Sequence, residues 1–524
     1  MTTPHTHEST AHTEGDEAPG APRSEWRRQF IGLFIGLGLA VLVFFFFPSN
    51  AIETVQGSAG ADPEAEYTLS AIRTVAAVTI LMGVWWMTEA IPLAATALLP
   101  LVIFPLAGVG TIKEVGAPYA SATIFLFMGG FLIALSLQRW NLHRRLALYV
   151  VKLIGTSPRR LILGFMLATG FLSMWVSNTA TAVVMLPIGT SVLALTAETV
   201  GGWDKQKKFA TALMLGIAYS ASIGSLGTLI GTPPNALLAA FMRENYDVQI
   251  GFGQWMLVGV PIAVVLLFAC WFLLTRVLFR PEIDEVPGGR DLIATELARL
   301  GRMSAPEAKV LAVFVLAALA WITVPLISEY VLDLESPLLS DAAIAMVVGL
   351  ILFLLPAGGG AGRGVRLLDW EAAKELPWGV LLLFGGGLAL SGQFSKSGLS
   401  TWLGEQVKGL GDIPVWVLVV IAAVGILLLT EMTSNTATAA TFLPVASGVA
   451  LGTGVAPLML AAPVALAATC AFMLPVATPP NAIAYGSGYV TIGQMVKGGV
   501  WLNIIAAVLI SIASMTLLVW VFGL

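Results

Sequence analysis

Two copies of one polar motif concentrate the chemistry of this chain. Ser177-Asn178-Thr179 opens SNTATAVVMLPI at 177–188, and Ser434-Asn435-Thr436 opens SNTATAATFLPV at 434–445. Eight of the twelve positions are identical. Each copy lies in the middle of an apolar run, 161–198 and 413–450. Unsatisfied polar groups at membrane depth cost several kcal/mol each, on the order of a lost hydrogen bond or more. A polar triplet repeated there therefore implies something bound. A second matched pair, Gly231-Thr232-Pro233-Pro234-Asn235 and Ala477-Thr478-Pro479-Pro480-Asn481, interrupts the apolar stretches 208–245 and 456–490. The residue before a proline is pushed out of helical geometry, so a helix must break at each.

Helix ends buried in this way can hold ions of both signs. Ser177 or Asn178 is placed to cap the half-helix that follows, accepting from its free N–H groups. That half-helix aims its positive end at the motif, which suits an anion. The preceding half-helix ends on free carbonyls, which suit a small hard cation. Ser173, one turn before Ser177, adds a hydroxyl, and its counterpart 257 positions later is Thr430, another hydroxyl. Thr232 and Thr478 stand at N-cap positions with Pro233 and Pro479 at the favoured first helical position. Gly231 and Ala477 offer carbonyls just before each break. Four half-helix N-termini converging on one anion, with one cation site per motif pair, is the expectation. The plainer alternative is kinks satisfied by neighbouring backbone and water, and four motifs at matched offsets argue against it. Neither motif contains Lys or Arg, so dipoles and co-bound cations must offset the anion's charge. The cations are expected to assemble the site before the anion enters.

The elements that position these motifs are membrane spans. Of the 524 residues, 57% are hydrophobic and 11% charged, with a mean hydropathy of +0.87; soluble domains are about 25% charged. An all-α polytopic membrane protein follows. Apolar stretches of roughly 17–25 residues are spans, and about eleven are expected, together with two re-entrant hairpins. Residues 1–29 read as a disordered cytoplasmic tail, in which His5, His7 and His12 fit no metal-site spacing. Residues 30–70 hold a first span and an external acidic loop; Arg23, Arg27 and Arg28 keep its start in the cytoplasm. Residues 71–280 contain scaffold spans at about 71–88, 91–109 and 120–138, the hairpin 161–198, the broken helix 208–245 and a span at 254–279. A cytoplasmic linker at 281–308 leads to 309–524, which repeats the plan with the hairpin 413–450 and the broken helix 456–490. Basic residues flank both ends of 161–198, and a polar joint replaces a hydrophilic loop, so a re-entrant hairpin is preferred to two spans. Short interfacial helices are expected at about 142–154 and 399–410.

The register of the repeat is checkable. Phe127, Gly129, Gly130, Leu142 and Ser177 match Phe384, Gly386, Gly387, Leu399 and Ser434 at a constant offset of 257. An odd number of spans per repeat inverts the second copy. Inverted repeats with broken helices are the signature of a secondary transporter. The N-terminus is then cytoplasmic and the C-terminus external.

Glu431, three before Ser434, is an ionisable residue in an apolar run, and such residues are functional candidates. Its counterpart is Met174, so it stands outside the matched site; a hydrogen-bonded structural carboxylate and a coupling role, with a proton, weigh equally. Glu89 reads as a structural anchor, and Trp85, Trp86 and Trp378 as interface or packing residues. Cys270 and Cys470 lie in apolar runs, so no disulfide framework is expected. No His or Cys lies near the motifs, which disfavours an enzyme, and no catalytic residues, organic cofactor or nucleic-acid partner are expected. An anion channel could also use helix N-termini, but it needs a continuous pore.

The stretches WWMTEAIPL at 85–93 and FLFMGGFLIAL at 125–135, with the paired SNT and TPPN motifs, resemble the divalent anion:sodium symporter family over about residues 70–522. The resemblance implies an elevator mechanism in a homodimer of the plasma membrane, with hairpins and broken helices moving against a fixed scaffold. It implies one sodium at Ser173, Ser177, Asn178 and Gly231, and a second at Thr430, Ser434, Asn435 and Ala477. Substrate carboxylates would meet Ser177, Asn178, Thr179, Thr232, Ser434, Asn435, Thr436, Thr478 and Pro479. Intact SNT triplets look like the dicarboxylate-carrying members. The expected function is sodium-coupled import of C4-dicarboxylates such as succinate, malate or fumarate. A sodium-independent exchanger and a citrate or sulfate carrier are the alternatives.

Overall fold

The computed structural model describes residues 23–524 apart from 59–64, 156, 287, 335, 336, 361, 363 and 410–412. The chain opens on α1 (Arg23–Phe46) and α2 (Ala51–Gln56). The tail expected to be disordered through residue 29 is thus helical from Arg23, and His5, His7 and His12 lie outside the described residues. Arg28 at the start of α1 pairs at 3.1 Å with Glu89, the anchor expected there.

The first half continues with α3 (Leu69–Thr88), α4 (Leu93–Thr96), α5 (Leu99–Leu106), α6 (Ile112–Gly116) and α7 (Ala122–Arg139). Then come α8 (Leu142–Ile154), α9 (Pro158–Ser173), α10 (Asn178–Val200), α11 (Lys207–Ser225), α12 (Pro233–Tyr246) and α13 (Phe252–Phe272). The linker contains α14 (Gly289–Arg299). The second half runs through α15 (Ala305–Tyr330), α16 (Asp341–Leu354), α17 (Trp370–Ala373), α18 (Trp378–Lys396) and α19 (Leu399–Lys408). It ends with α20 (Val415–Thr430), α21 (Asn435–Gly452), α22 (Pro457–Thr469), α23 (Pro479–Gly486), α24 (Ile492–Met515) and α25 (Leu517–Phe522). No strand occurs among the described residues beyond one isolated bridge, Pro356 to Arg366.

Among the described residues, eight helical stretches are long and apolar enough to cross a membrane, and four apolar helices are shorter: Leu93–Leu106, Asp341–Leu354, Val415–Thr430 and Pro457–Thr469. The span expected at 91–109 is interrupted between α4 and α5. Pro100, in the first turn of α5, has no N–H to give the Thr96 carbonyl and its ring crowds that oxygen, so α4 does not run on into α5.

Close helix crossings hold the site-bearing elements. α9 packs on α11, and a Cβ on Gly224 would stand 2.0 Å from the Gly170 carbonyl oxygen. The obstacle is backbone, which cannot swing aside. Overpacking typically costs about 1–3 kcal/mol, and Gly224→Val is expected to exceed that. A Gly224→Val protein that elutes as a single sharp peak with wild-type thermal stability would contradict this crossing. Phe127 and its mate 257 positions on, Phe384, meet edge to face with centroids 5.2 Å apart.

The two short helices expected near the interface form as α8 and α19. The basic residues of α8 do not all face water, however. Arg145 is buried and grips Glu307 at 3.0 and 3.2 Å, with Gly301 and Leu300 carbonyls at 2.9 and 3.0 Å. Arg144 reaches Glu296 on α14 at 2.6 Å. A planar guanidinium satisfied on both edges tolerates such burial. The linker is therefore a docked helix rather than a loose tether.

Candidate functional site

The first motif lies where α9 stops at Ser173 and α10 starts at Asn178, with 174–177 outside helical structure. Ser177 is the N-cap of α10 and accepts from the Ala180 N–H at 3.3 Å. The Ser173 hydroxyl lies 2.5 Å from the Ala221 carbonyl oxygen on α11 and 2.5 Å from Asn178 Oδ1. One hydroxyl hydrogen thus faces two acceptors, leaving an oxygen cluster with a surplus of lone pairs. Asn178 Nδ2 donates to Ser225 Oγ at 3.3 Å. Gly231 backs onto the same serine, since a Cβ there would be 2.4 Å from the Ser225 carbonyl oxygen. Ser173, Asn178 and Gly231 are therefore gathered around the end of α11.

The second motif reproduces the arrangement. α20 stops at Thr430 and α21 starts at Asn435. The Thr430 hydroxyl lies 2.7 Å from the Ala468 carbonyl oxygen on α22 and 2.8 Å from Asn435 Oδ1. Again one hydrogen serves two acceptors. Ser434 occupies the N-cap position, but its side chain makes no capping bond. Ala477 is buried, and its N–H donates to Leu474 O at 3.2 Å.

The broken helices part between Ser225 and Pro233 and between Thr469 and Pro479. Thr232 and Thr478 are the N-caps, as expected, but their hydroxyls differ. Thr478 Oγ1 accepts from the Asn481 N–H at 3.4 Å, whereas Thr232 Oγ1 lies 3.4 Å from Thr469 Oγ1 in the other half of the chain. The halves interlock: α10 packs on α23, and α12 packs on α21 and α22. Each of these four half-helices so packs on one from the other half, α10 on α23 and α12 on α21. Of the motif residues, Ser177, Thr179 and Pro479 are exposed, Asn178, Ser434, Asn435 and Thr436 half-buried, and Thr232 and Thr478 buried.

Glu431 stands among backbone donors. It is 1% exposed, and its carboxylate accepts from the N–H groups of Phe472 at 2.7 Å, Met473 at 3.0 Å and Leu474 at 3.1 Å. Asn503 Nδ2 adds a fourth partner at 2.7 Å. The reason for its one-sidedness is visible in the first half. There Leu226 N and Gly227 N bond back to Ile223 O and Gly224 O, at 3.3 and 2.9 Å, so the chain satisfies itself. The chain past Thr469 leaves helical geometry at Cys470, and buried N–H groups need acceptors. Glu431 supplies them. The carboxylate anchors the loop that carries Ala477.

Four participants escaped sequence reasoning: Ser225, Asn503, and Asn235 and Asn481, which end the TPPN motifs. Asn235 Nδ2 donates to Thr228 O at 2.9 Å, and Asn481 Nδ2 to Leu474 O at 3.1 Å. Their matched offset was the available signal.

The fold has relatives among solved transporters. It is similar to YdaH of Alcanivorax borkumensis, with a TM-score of 0.55 at 17% identity over 84% of this chain and 98% of that one. It is similar to MtrF of Neisseria gonorrhoeae, with a TM-score of 0.57 at 14% identity over 97% and 96%. In sequence it is 45% identical to the sodium-dependent dicarboxylate transporter SdcS of Staphylococcus saprophyticus over 92% of this chain and 90% of the relative. The SdcS protein of Staphylococcus aureus is 44% identical over the same shares. Residues 61–524 match the family described as the sodium:sulfate symporter transmembrane region. With its twin polar breaks in register and this match along most of its length, the chain belongs to the sodium:sulfate symporter family, the divalent anion:sodium symporters.

Proposed function

We propose that this protein is a secondary transporter that imports C4-dicarboxylates such as succinate, malate or fumarate together with sodium. The observation that carries the reading is the twin oxygen cluster, Ser173–Asn178–Ala221 and Thr430–Asn435–Ala468. Each holds one proton fewer than its acceptors require, the condition a small hard cation relieves. Relatives at 44–45% identity bear the name sodium-dependent dicarboxylate transporter, which supports the choice of both ion and anion.

In this reading one sodium binds at Ser173, Ser177, Asn178 and Gly231, and another at Thr430, Ser434, Asn435 and Ala477. The two substrate carboxylates face Ser177, Asn178 and Thr179 with Thr232, and Ser434, Asn435 and Thr436 with Thr478 and Pro479. No Lys or Arg lies in either motif, so half-helix N–H groups and the two cations offset the dianion. Sodium binds first because, without it, the dianion would meet exposed carbonyl oxygens. The hairpins α9–α10 and α20–α21 move with the broken helices as an elevator against the scaffold of a homodimer. The protein sits in the plasma membrane with its N-terminus cytoplasmic and its C-terminus external.

Labelled succinate uptake into proteoliposomes tests this. Saturable uptake is expected only with an inward sodium gradient and without any internal dicarboxylate. Uptake that needs internal dicarboxylate and ignores sodium would identify an exchanger instead. Uptake that does not saturate would point to a channel.

A further inference from the structure

Asn235 and Asn481 stand at the same place in the two broken helices, 246 positions apart, and share two matched bonds, to which Asn235 Nδ2 adds a third, to Leu226 O at 3.2 Å. Asn235 Nδ2 lies 2.9 Å from Thr228 O and 3.4 Å from Ser225 O. Asn481 Nδ2 lies 3.1 Å from Leu474 O and 3.1 Å from Ala471 O. Adding 246 to 225, 228 and 235 gives 471, 474 and 481, so the donor and these two acceptors keep the register of the repeat. Both asparagines are completely buried. The orientation of each amide is forced, because turning Oδ1 into that position would crowd it against carbonyl oxygens.

The carbonyl at the centre of each set has a second donor. Thr228 O also accepts from the N–H of Gly231 at 3.4 Å, and Leu474 O from the N–H of Ala477 at 3.2 Å. Gly231 and Ala477 are the residues whose own carbonyls face sodium in the function proposed above. Each asparagine therefore holds the acceptor that orients the peptide plane preceding the ligand residue. A loop carbonyl aimed at a cation repels its neighbours when the cation is absent. A donor fixed by packing between the other loop carbonyls keeps those turned away and leaves the ligand carbonyl committed to the site. Oδ1 of Asn235 and of Asn481 meets no donor among the described residues, the same surplus of acceptors on both sides.

We infer that Asn235 and Asn481 are positioning residues for the two sodium sites, each tuning the sodium affinity of its own half without touching the transported anion. This rests on the sodium-coupled reading above. Removing a partner that orients metal ligands typically lowers metal affinity about 10- to 100-fold.

The test is sodium activation of labelled succinate uptake by the reconstituted full-length protein and by N235A, N481A, N235D and N481D. The aspartates keep size and oxygen but lose both N–H donors, and they carry the test if an alanine variant fails to fold. Each variant is expected to raise half-saturating sodium at least about 10-fold. Half-saturating succinate at saturating sodium should stay within about twofold of wild type. The sodium concentration that half-maximally raises the melting temperature in detergent should shift by the same factor, a readout that needs no transport. A sodium-dependent wild type whose aspartate variants keep wild-type sodium affinity in both assays would overturn this inference alone. A wild type indifferent to sodium would overturn the sodium reading, and this inference with it.

Discussion

Asn178→Ala and Asn435→Ala are each expected to abolish sodium-driven uptake while leaving the chain folded. Each alanine removes Oδ1 from a cluster in which it lies 2.5 Å from Ser173 Oγ or 2.8 Å from Thr430 Oγ1. A hydrogen bond or contact to a charged partner contributes about 1.5–3 kcal/mol, so ion binding at that half should weaken roughly 10- to 150-fold. With both ions bound before the dianion, as proposed, transport at ordinary sodium should fall by at least that factor. Folding survives because both asparagines are half-buried at helix starts, and their neighbours are held by backbone bonds. The measurement is uptake beside size-exclusion profile and melting temperature. Normal transport by either variant would sink the matched-site reading.

The second large effect is on stability. Glu431→Gln should lower the melting temperature by several degrees, and Glu431→Ala by more. Glutamine keeps one acceptor oxygen and turns an N–H₂ toward the donors of 472–474 and Asn503. Alanine leaves all of them without an acceptor, and each buried unsatisfied donor costs about 1–3 kcal/mol. The loop bearing Ala477 loses its anchor, so sodium activation weakens as well. A proton-coupling role makes the opposite forecast: E431Q would keep its melting temperature and lose a pH dependence of uptake. Thermal unfolding and a pH series on the same variant separate the two.

Much of the site was legible from the chain because its parts act locally. Proline lacks an N–H and serine and threonine cap helices wherever they stand, so breaks at 174–177 and before Pro233 and Pro479 follow from the residues themselves. The pairing of Ser173 with Asn178, and of Thr430 with Asn435, spans five residues across one break and is set by the short turn that joins the two half-helices. One departure is equally instructive. Charge composition reads 281–308 only as a cytoplasmic linker, and within it residues Gly289–Arg299 form a helix that Arg144 and Arg145 hold in place. Charge and helical spacing cannot say whether an arginine meets water or a carboxylate 162 positions away.

By itself, the sequence determined that the chain is a membrane protein with two polar motif pairs in register, and where its helices must end. Hydropathy, capping and the missing N–H of proline are properties of short segments, and they hold whatever the rest of the chain does. Only the tertiary structure decided which distant carbonyls complete each oxygen cluster, Ala221 for Ser173 and Ala468 for Thr430. It also decided that Thr232 meets Thr469 across the halves while Thr478 caps its own helix. It also showed three backbone N–H groups from the 472–474 loop converging on Glu431, a contact that no spacing in the sequence announces. Those outcomes depend on how helices dozens to hundreds of residues apart pack, and two near-identical motifs acquire different partners once their surroundings differ.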